Sequence, residues 1–272
     1  IWDRTDLILK IFALHAKTAE AKLQITLASI HHMGPRIFRM GLDLSQQGGG
    51  IGTRGAGETN TEMMKRHLAM HEKTIKTKLE QYARVRDVHR AGRRRQGLKT
   101  VSVVGYTNAG KSSLVNALTR KGTYVANALF ATLDTSVGKI FLPGSIRGVL
   151  ISDTIGFIQD LPPQLISAFS STLEETVRAD LLLHVVDAGD ARAAHKMAVV
   201  DDILTQIGAA DIPRWVVYNK ADTMTGRKKK RGKQRVADGE RPTYLVSALK
   251  NDGIDELKKD ILVALGDLST VV

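Results

Sequence analysis

The chain has 272 residues, 43% of them hydrophobic, with 40 Lys and Arg against 28 Asp and Glu, a formal net charge of +12 and no cysteine. That length and apolar content suffice for one large or two modest domains with real cores, and the lack of cysteine excludes a disulfide framework or a thiolate-bound zinc or iron–sulfur centre. No apolar run nears the roughly 20 residues of a membrane span, so the expectation is a soluble monomer of the cytoplasm or an organellar matrix, with a polyanion as partner. The sequence opens on Ile1 rather than Met, as expected of a fragment or trimmed product.

From Asp6 to about His32, apolar residues recur at helical spacing (Ile8, Phe12, Ala19, Leu23, Leu27, Ile30), and Gly34-Pro35 is the expected stop. Residues 48–57 then hold six glycines. A second helical pattern runs from Thr61 to about Ala91 through Met64, Leu68, Ile75, Leu79 and Tyr82. Its stripe is narrow and its flanks are charged, so the two helices are expected to pair antiparallel as a hairpin closed by the glycine-rich loop. Residues 1–99 carry 19 basic and 9 acidic groups, net +10, and residues 100–272 carry 21 and 19, net +2. Basic residues crowd toward Arg90, Arg93, Arg94 and Arg95, and again at Arg227–Arg235. Two such runs point to a nucleic-acid backbone, and the face from Lys65 to Arg95 is the expected contact for it.

After Lys99 the pattern becomes alternating strand and helix. Six strands are expected at Thr100–Val104, Lys139–Leu142, Val149–Ser152, Leu181–Val186, Trp215–Tyr218 and Thr243–Val246, with helices following Gly110, Pro163, Asp190 and Gly253. Only Pro143–Gly148 joins the second and third strands, so that pair should be antiparallel. The rest read as βαβ units in a mostly parallel sheet. The expected organisation is a helical hairpin over 1–99 and an α/β domain over 100–272.

The sharpest motif is Gly105-Tyr106-Thr107-Asn108-Ala109-Gly110-Lys111-Ser112, a G-x-x-x-x-G-K-S loop directly after a strand and before a helix. Its backbone N–H groups can turn around phosphate oxygens at a helix N-terminus, with Ser113 completing the cradle. Lys111 reaches the β- and γ-phosphates and the Ser112 hydroxyl suits Mg²⁺. Downstream, Asp153-Thr154-Ile155-Gly156 ends a strand: Asp153 is placed for water-mediated Mg²⁺ contact and Gly156 for the γ-phosphate. Thr132 is the candidate switch threonine for Mg²⁺ and γ-phosphate. Asn219-Lys220-Ala221-Asp222 matches N-K-x-D, whose carboxylate accepts from guanine N1–H and its exocyclic amine. Lys220 can lie over the base, Asn219 brace the loop, and backbone N–H groups of Ser247-Ala248 meet guanine O6. Together these describe a Ras-like P-loop domain for GTP and GDP.

These residues, with Leu129-Phe130-Ala131-Thr132-Leu133-Asp134, Asp153-Thr154-Ile155-Gly156-Phe157, Thr172-Leu173-Glu174-Glu175 and Ala179–Asp187, resemble the HflX family of ribosome-associated GTPases. Asp3-Arg4 and Gly49–Thr59 look like that family's helical region and glycine-rich signature. The resemblance implies slow GTP hydrolysis stimulated by the ribosome, binding to the large subunit and its rRNA, and a role in ribosome splitting, rescue or recycling. It also implies an N-terminal subdomain upstream that this chain lacks. Departures are Thr61, Met64, Lys65 and Arg66 after the glycine-rich signature, Thr135 where Pro is usual and Leu249 where Lys is usual. A ribosome-assembly or RNA-binding module that uses GTP as a ligand is the alternative.

Phe157 stands where a water-orienting Gln would otherwise sit and cannot hydrogen-bond water, so intrinsic turnover should be slow. Asn108 resembles the asparagine of potassium-responsive GTPases, which implies stimulation by K⁺. The G-x-G-x-x-G at Gly50–Gly55 needs a strand before it, and Gly41–Gln47 is a poor one. His67 and His71, at i and i+4, read as a helix-surface pair, and His184 as a satisfied core histidine.

Overall fold

Asp3 starts the first helix. Its carboxylate accepts from the Asp6 N–H (2.7 Å) while the Asp6 carboxylate accepts from the Asp3 N–H (3.1 Å), a reciprocal capping box at the head of α1 (Arg4–His15). The computed structural model describes residues 3–46, 60–119, 136–154, 156–157, 170–224, 236–238 and 241–267. The single helix expected over 6–32 is two, because the chain turns extended at Ala16 and Thr18 caps a new start, its Oγ1 accepting from the Ala21 N–H at 3.1 Å. Apolar periodicity runs through this break unchanged, and so conceals it. The second helix, α2 (Ala19–Gln46), continues past the expected stop at Gly34-Pro35. One proline removes a single backbone donor, and Arg36, Arg39, Met40 and Leu44 beyond it are good helix formers. Gly41–Gln46 is therefore helix, which deprives the glycine run of the strand a dinucleotide fingerprint needs. The glycine-rich stretch 48–57 lies outside the described residues.

The chain divides into two compact units between His89 and Arg90. In the first, Ile8, Leu9 and Phe12 of α1 are buried with Ala21, Ile25 and Ala28 of α2. His32 Nε2 of α2 lies 3.1 Å from Asp6 Oδ1 and 3.3 Å from Asp3 Oδ2. The long helix α3 (Asn60–Arg95) buries Ile75 and lies antiparallel to α2: His31 meets Glu72 at 3.0 Å and Glu20 meets Arg86, so numbering rises along one helix as it falls along the other. His67 and His71 are exposed on α3.

Among the described residues, the second unit holds a seven-stranded sheet in the order β2-β3-β1-β4-β5-β7-β6, with β1 (Thr100–Gly105), β2 (Ser136–Ile140), β3 (Val149–Asp153), β4 (Leu181–Asp187), β5 (Arg214–Asn219), β6 (Val236–Asp238) and β7 (Arg241–Leu245). The β2–β3 pair is antiparallel and β1 lies parallel to β3 and β4. Beyond the six expected strands, β6 adds a three-residue antiparallel edge to β7, too short to show as a pattern. Strand alternation sorts the faces. Val101, Val103, Leu181, Leu183 and Val185 join the cluster with Leu114, Val115 and Leu118 of α4 (Lys111–Thr119) and Ile254, Leu257 and Ile261 of α7 (Ile254–Ala264). Ser102, one residue off, faces Thr176 of α5 (Ser170–Val177), and α6 (Ala193–Gln206) covers β1 and β4. The chain leaves β1 first toward β2 and β3, then toward β4, β5 and β7. The carboxyl end of β1 is thus the switch point where such sheets hold ligands.

Candidate nucleotide-binding site

Gly105 to Gly110 turn the chain from β1 into α4 through positive φ at Gly105 (150°), Asn108 (62°) and Gly110 (90°). Glycine is required at 110: a Cβ there would sit 2.3 Å from the Asn219 amide nitrogen. Lys111 is buried at the start of α4, and its ammonium donates to the carbonyls of Gly105 (3.2 Å) and Tyr106 (3.1 Å). Burial pushes that ammonium down to about 8, opposed by the nearby Asp153 carboxylate. The parallel register β1–β3 sets Val103 beside Asp153 and so brings the buried Asp153 to the P-loop. Thr154 donates to the Val103 carbonyl at 2.6 Å, extending the fit by one residue. Gly156 lies against the loop, where a Cβ would come within 3.0 Å of Lys111 Nζ and 2.8 Å of Thr107 Cγ2. Ser112 and Ser113 occupy the first turn of α4, both half-buried. A hydroxyl and a carboxylate of this kind are the hard oxygen donors Mg²⁺ takes, so the residues present fit that ion.

Phe157 does more than omit a glutamine. Its side chain is 1% exposed, and its backbone ladders onto the P-loop: the Phe157 N–H donates to the Gly105 carbonyl (3.1 Å) and the Thr107 N–H to the Phe157 carbonyl (2.9 Å). The phenylalanine after D-x-x-G was readable in sequence; its burial and the bridge it anchors were not.

The second loop converges on the same place. The buried Asn219, at the end of β5, donates from Nδ2 to the carbonyls of Ala109 (3.3 Å) and Gly110 (3.2 Å) and accepts at Oδ1 from the Ala248 N–H (3.0 Å). One side chain thus ties the phosphate loop to both base loops. In this arrangement the Ala248 N–H serves Asn219, a use different from the O6 contact expected of it. Lys220, in the left-handed region at φ 65°, donates from Nζ to the Asn108 carbonyl and to Asp187 Oδ2, both at 2.8 Å. Ser247 Oγ donates to Asp222 Oδ1 at 2.5 Å and accepts from the Lys250 N–H at 3.1 Å, which orients the carboxylate. Leu249 is 84% exposed and the site does not use its side chain. Thr132 lies outside the described residues.

Two contributors had no role assigned from sequence. Asp187, which closes the Ala179–Asp187 run, anchors Lys220. Lys196, paired with Asp190, sits 4.8 Å over the Tyr106 ring and packs α6 onto the loop. His184 is buried in β4, but it is not satisfied: Nδ1 has no hydrogen bond among the described residues, and Asp201 Oδ1 stands 3.9 Å away. Burial, then the positive charges of Arg214, Arg241 and Lys111, push its imidazole down to about 3.

Residues 15–93 match the family model described as the GTP-binding GTPase Middle Region, and residues 100–220 match that described as 50S ribosome-binding GTPase. The GTPase HflX of Caldanaerobacter subterraneus subsp. tengcongensis is 44% identical over 261 residues, covering 96% of this chain and 59% of that protein. The GTPase HflX of Escherichia coli is 44% identical over 222 residues, 82% of this chain and 52% of that protein. The chain thus spans between about half and three fifths of the length of these relatives. Among solved structures, SsGBP in complex with GDP superposes with a TM-score of 0.60 at 26% identity, covering 97% of this chain and 73% of that one. A GTP-binding protein from Sulfolobus solfataricus with GDP gives 0.58 at 25%, over 98% and 73%. With a P-loop and an N-K-A-D loop clasped by Asn219, behind a helical middle region that also matches, the chain belongs to the HflX family of GTPases.

Proposed function

We propose that the chain binds GTP and GDP between Gly105–Ser113 and the Asn219–Asp222 and Ser247–Ala248 loops, hydrolyses GTP, and uses the nucleotide state to set its affinity for the large ribosomal subunit. The observation that carries this reading is Asn219, whose amide bonds the carbonyls of Ala109 and Gly110 on one side and the Ala248 N–H on the other. It holds the phosphate cradle and the guanine-selective carboxylate in one piece.

Lys111 bonds carbonyls of its own loop and would turn its ammonium to β- and γ-phosphate oxygens when they enter. Asp222, held by Ser247, accepts from guanine and rejects adenine, which offers a donor pattern of the wrong kind. Ser112, Asp153 and Thr132 would hold Mg²⁺, which when bound neutralises phosphate charge. Gly156 stands beside Lys111 without a side chain to block the γ-phosphate. Phe157, packed inward, orients no water, so intrinsic turnover is slow and the partner supplies the acceleration. Asn108 adds K⁺ to this scheme, with turnover higher in K⁺ than in Na⁺; equal rates in the two salts would remove that part.

The family model matched by residues 100–220, described as 50S ribosome-binding GTPase, supports a ribosomal partner, and the exposed basic residues of α3 supply charge for rRNA. The action is splitting or rescue of ribosomes in the cytoplasm. Co-sedimentation with large subunits in GDP and in a non-hydrolysable GTP analogue tests it. Pelleting should favour the analogue, and equal pelleting in both would reject a nucleotide-driven switch in favour of an RNA-binding module that uses GTP as a ligand.

A further inference from the structure

The root of α3 ends in the second unit in a cluster of charges that the nucleotide site does not explain. Arg90 is 8% exposed. Its Nη2 donates to Glu174 Oε2 at 2.9 Å and its Nε lies 3.3 Å from Glu175 Oε1. Arg93, one turn on, donates from Nη2 to both oxygens of Glu175, at 3.2 and 3.4 Å. Residues three apart share a helix face, so both guanidinium groups reach the two adjacent glutamates of α5. Of these three Arg–Glu pairs, Arg90–Glu175 is withdrawn from water on both sides; such a pair costs desolvation and holds only in good geometry, so small displacements of α5 are felt at α3.

α5 is also fastened to the strand that feeds the P-loop. Thr176 Oγ1 and Ser102 Oγ are 3.3 Å apart in the interior. Just past α5, Asp180 accepts from the Thr100 N–H (2.8 Å) and from Lys99 Nζ (2.9 Å), while its own N–H donates to the Thr100 carbonyl (2.8 Å). The helix that follows the Asp153–Phe157 segment in the chain therefore has one side on β1 and the other in the grip of α3. A hairpin arm needing only an anchor would be served by exposed pairs; here Arg90 and Glu175 are buried, and they bear on the helix that is fastened to the strand feeding the P-loop.

We propose that Arg90 and Arg93 are positioning residues of the GTPase cycle: through Glu174 and Glu175 they couple the position of α5, and with it the nucleotide state, to the root of α3. This rests on the nucleotide reading above, and coupling of this kind is reciprocal, so breaking it changes the response without abolishing binding.

The test is hydrogen exchange of the whole chain in GDP and in a non-hydrolysable GTP analogue, alongside affinities measured with fluorescent nucleotides. In the wild type, amides of residues 88–96 should exchange about threefold or more apart in the two states. In Glu174→Gln/Glu175→Gln, analogue affinity should stay within about threefold while that difference disappears, and kcat should change at constant KM. Arg93→Gln, at a half-exposed position, gives the same readout if the double variant melts below the assay temperature. Arg93→Lys, which keeps the charge, should restore part of the difference. Binding without any exchange difference at 88–96 in the wild type, or a difference that survives in the folded variants, overturns the coupling alone. A wild type that binds no GTP overturns the nucleotide reading and the coupling with it.

Discussion

Lysine and arginine serve opposite ends in the two regions of this molecule. Around the nucleotide site, Lys111 and Lys220 are turned onto backbone carbonyls and carboxylates, and little of their charge faces bulk water. Along α3, Lys73, Lys78, Arg84, Arg94 and Arg95 are exposed. Arg90 and Arg93, in the same basic run, behave like the first group and are engaged by Glu174 and Glu175. A run of charge in sequence is therefore not one surface, and only the exposed members are available to a polyanion.

The largest effect expected on this contrast is at Asp222. Losing two hydrogen bonds from a charged acceptor costs about 1.5–3 kcal/mol each, so Asp222→Asn should weaken GTP by about 10²-fold or more and shift preference toward XTP. Unchanged GTP affinity in a competition assay would break the assignment of the base loop. Next, changing Lys73, Lys78, Arg84 and Arg94 together to Gln should lower affinity for large subunits by roughly 10–10²-fold. It should also flatten the salt dependence by about 0.9 for each phosphate no longer neutralised, with GTP affinity intact. Neutralising Arg93 should instead act on the nucleotide response, which separates it from its neighbours.

His184 sharpens the buried side of the comparison. Its folded value of about 3 lies below the ordinary 6.5, so the unfolded chain takes up a proton first as pH falls, and stability is lost from about pH 6.5 downward. Between pH 7.5 and pH 5 this group alone costs about 2 kcal/mol. His184→Leu should lose that much less in urea unfolding at the two pH values, and identical losses would show that the imidazole is paired. The smallest effect is at Lys111. With an ammonium near 8, nucleotide affinity should fall as pH rises, by about fourfold between pH 6.5 and 8.5. A flat profile would mean that the lysine stays charged throughout.

The placement of the motif residues was legible. Gly110-Lys111-Ser112, Asp153 to Gly156 and Asn219 to Asp222 stand at or just past strand ends, as the G-x-x-x-x-G-K-S, D-x-x-G and N-K-x-D patterns in their strand context imply. The break at Thr18, the run of α2 through Pro35 and the edge strand Val236–Asp238 were hidden for a different reason. A side-chain cap, a tolerated proline and a three-residue ladder leave apolar periodicity almost unchanged.

By itself, the sequence determined that a G-x-x-x-x-G-K-S loop follows β1, that an N-K-x-D loop follows β5 and that positive charge gathers on the long helix, since each depends on residue type at short range. Only the tertiary structure decided that Asn219 clasps both loops and that Phe157 ladders onto the P-loop. It alone decided that Arg90 and Arg93 turn from solvent to Glu174 and Glu175. Along the chain these partners stand between 29 residues apart, for Asn219 and Ala248, and 110 apart, for Asn219 and Ala109. Which distant groups meet is fixed by sheet order and helix packing, which no local pattern encodes.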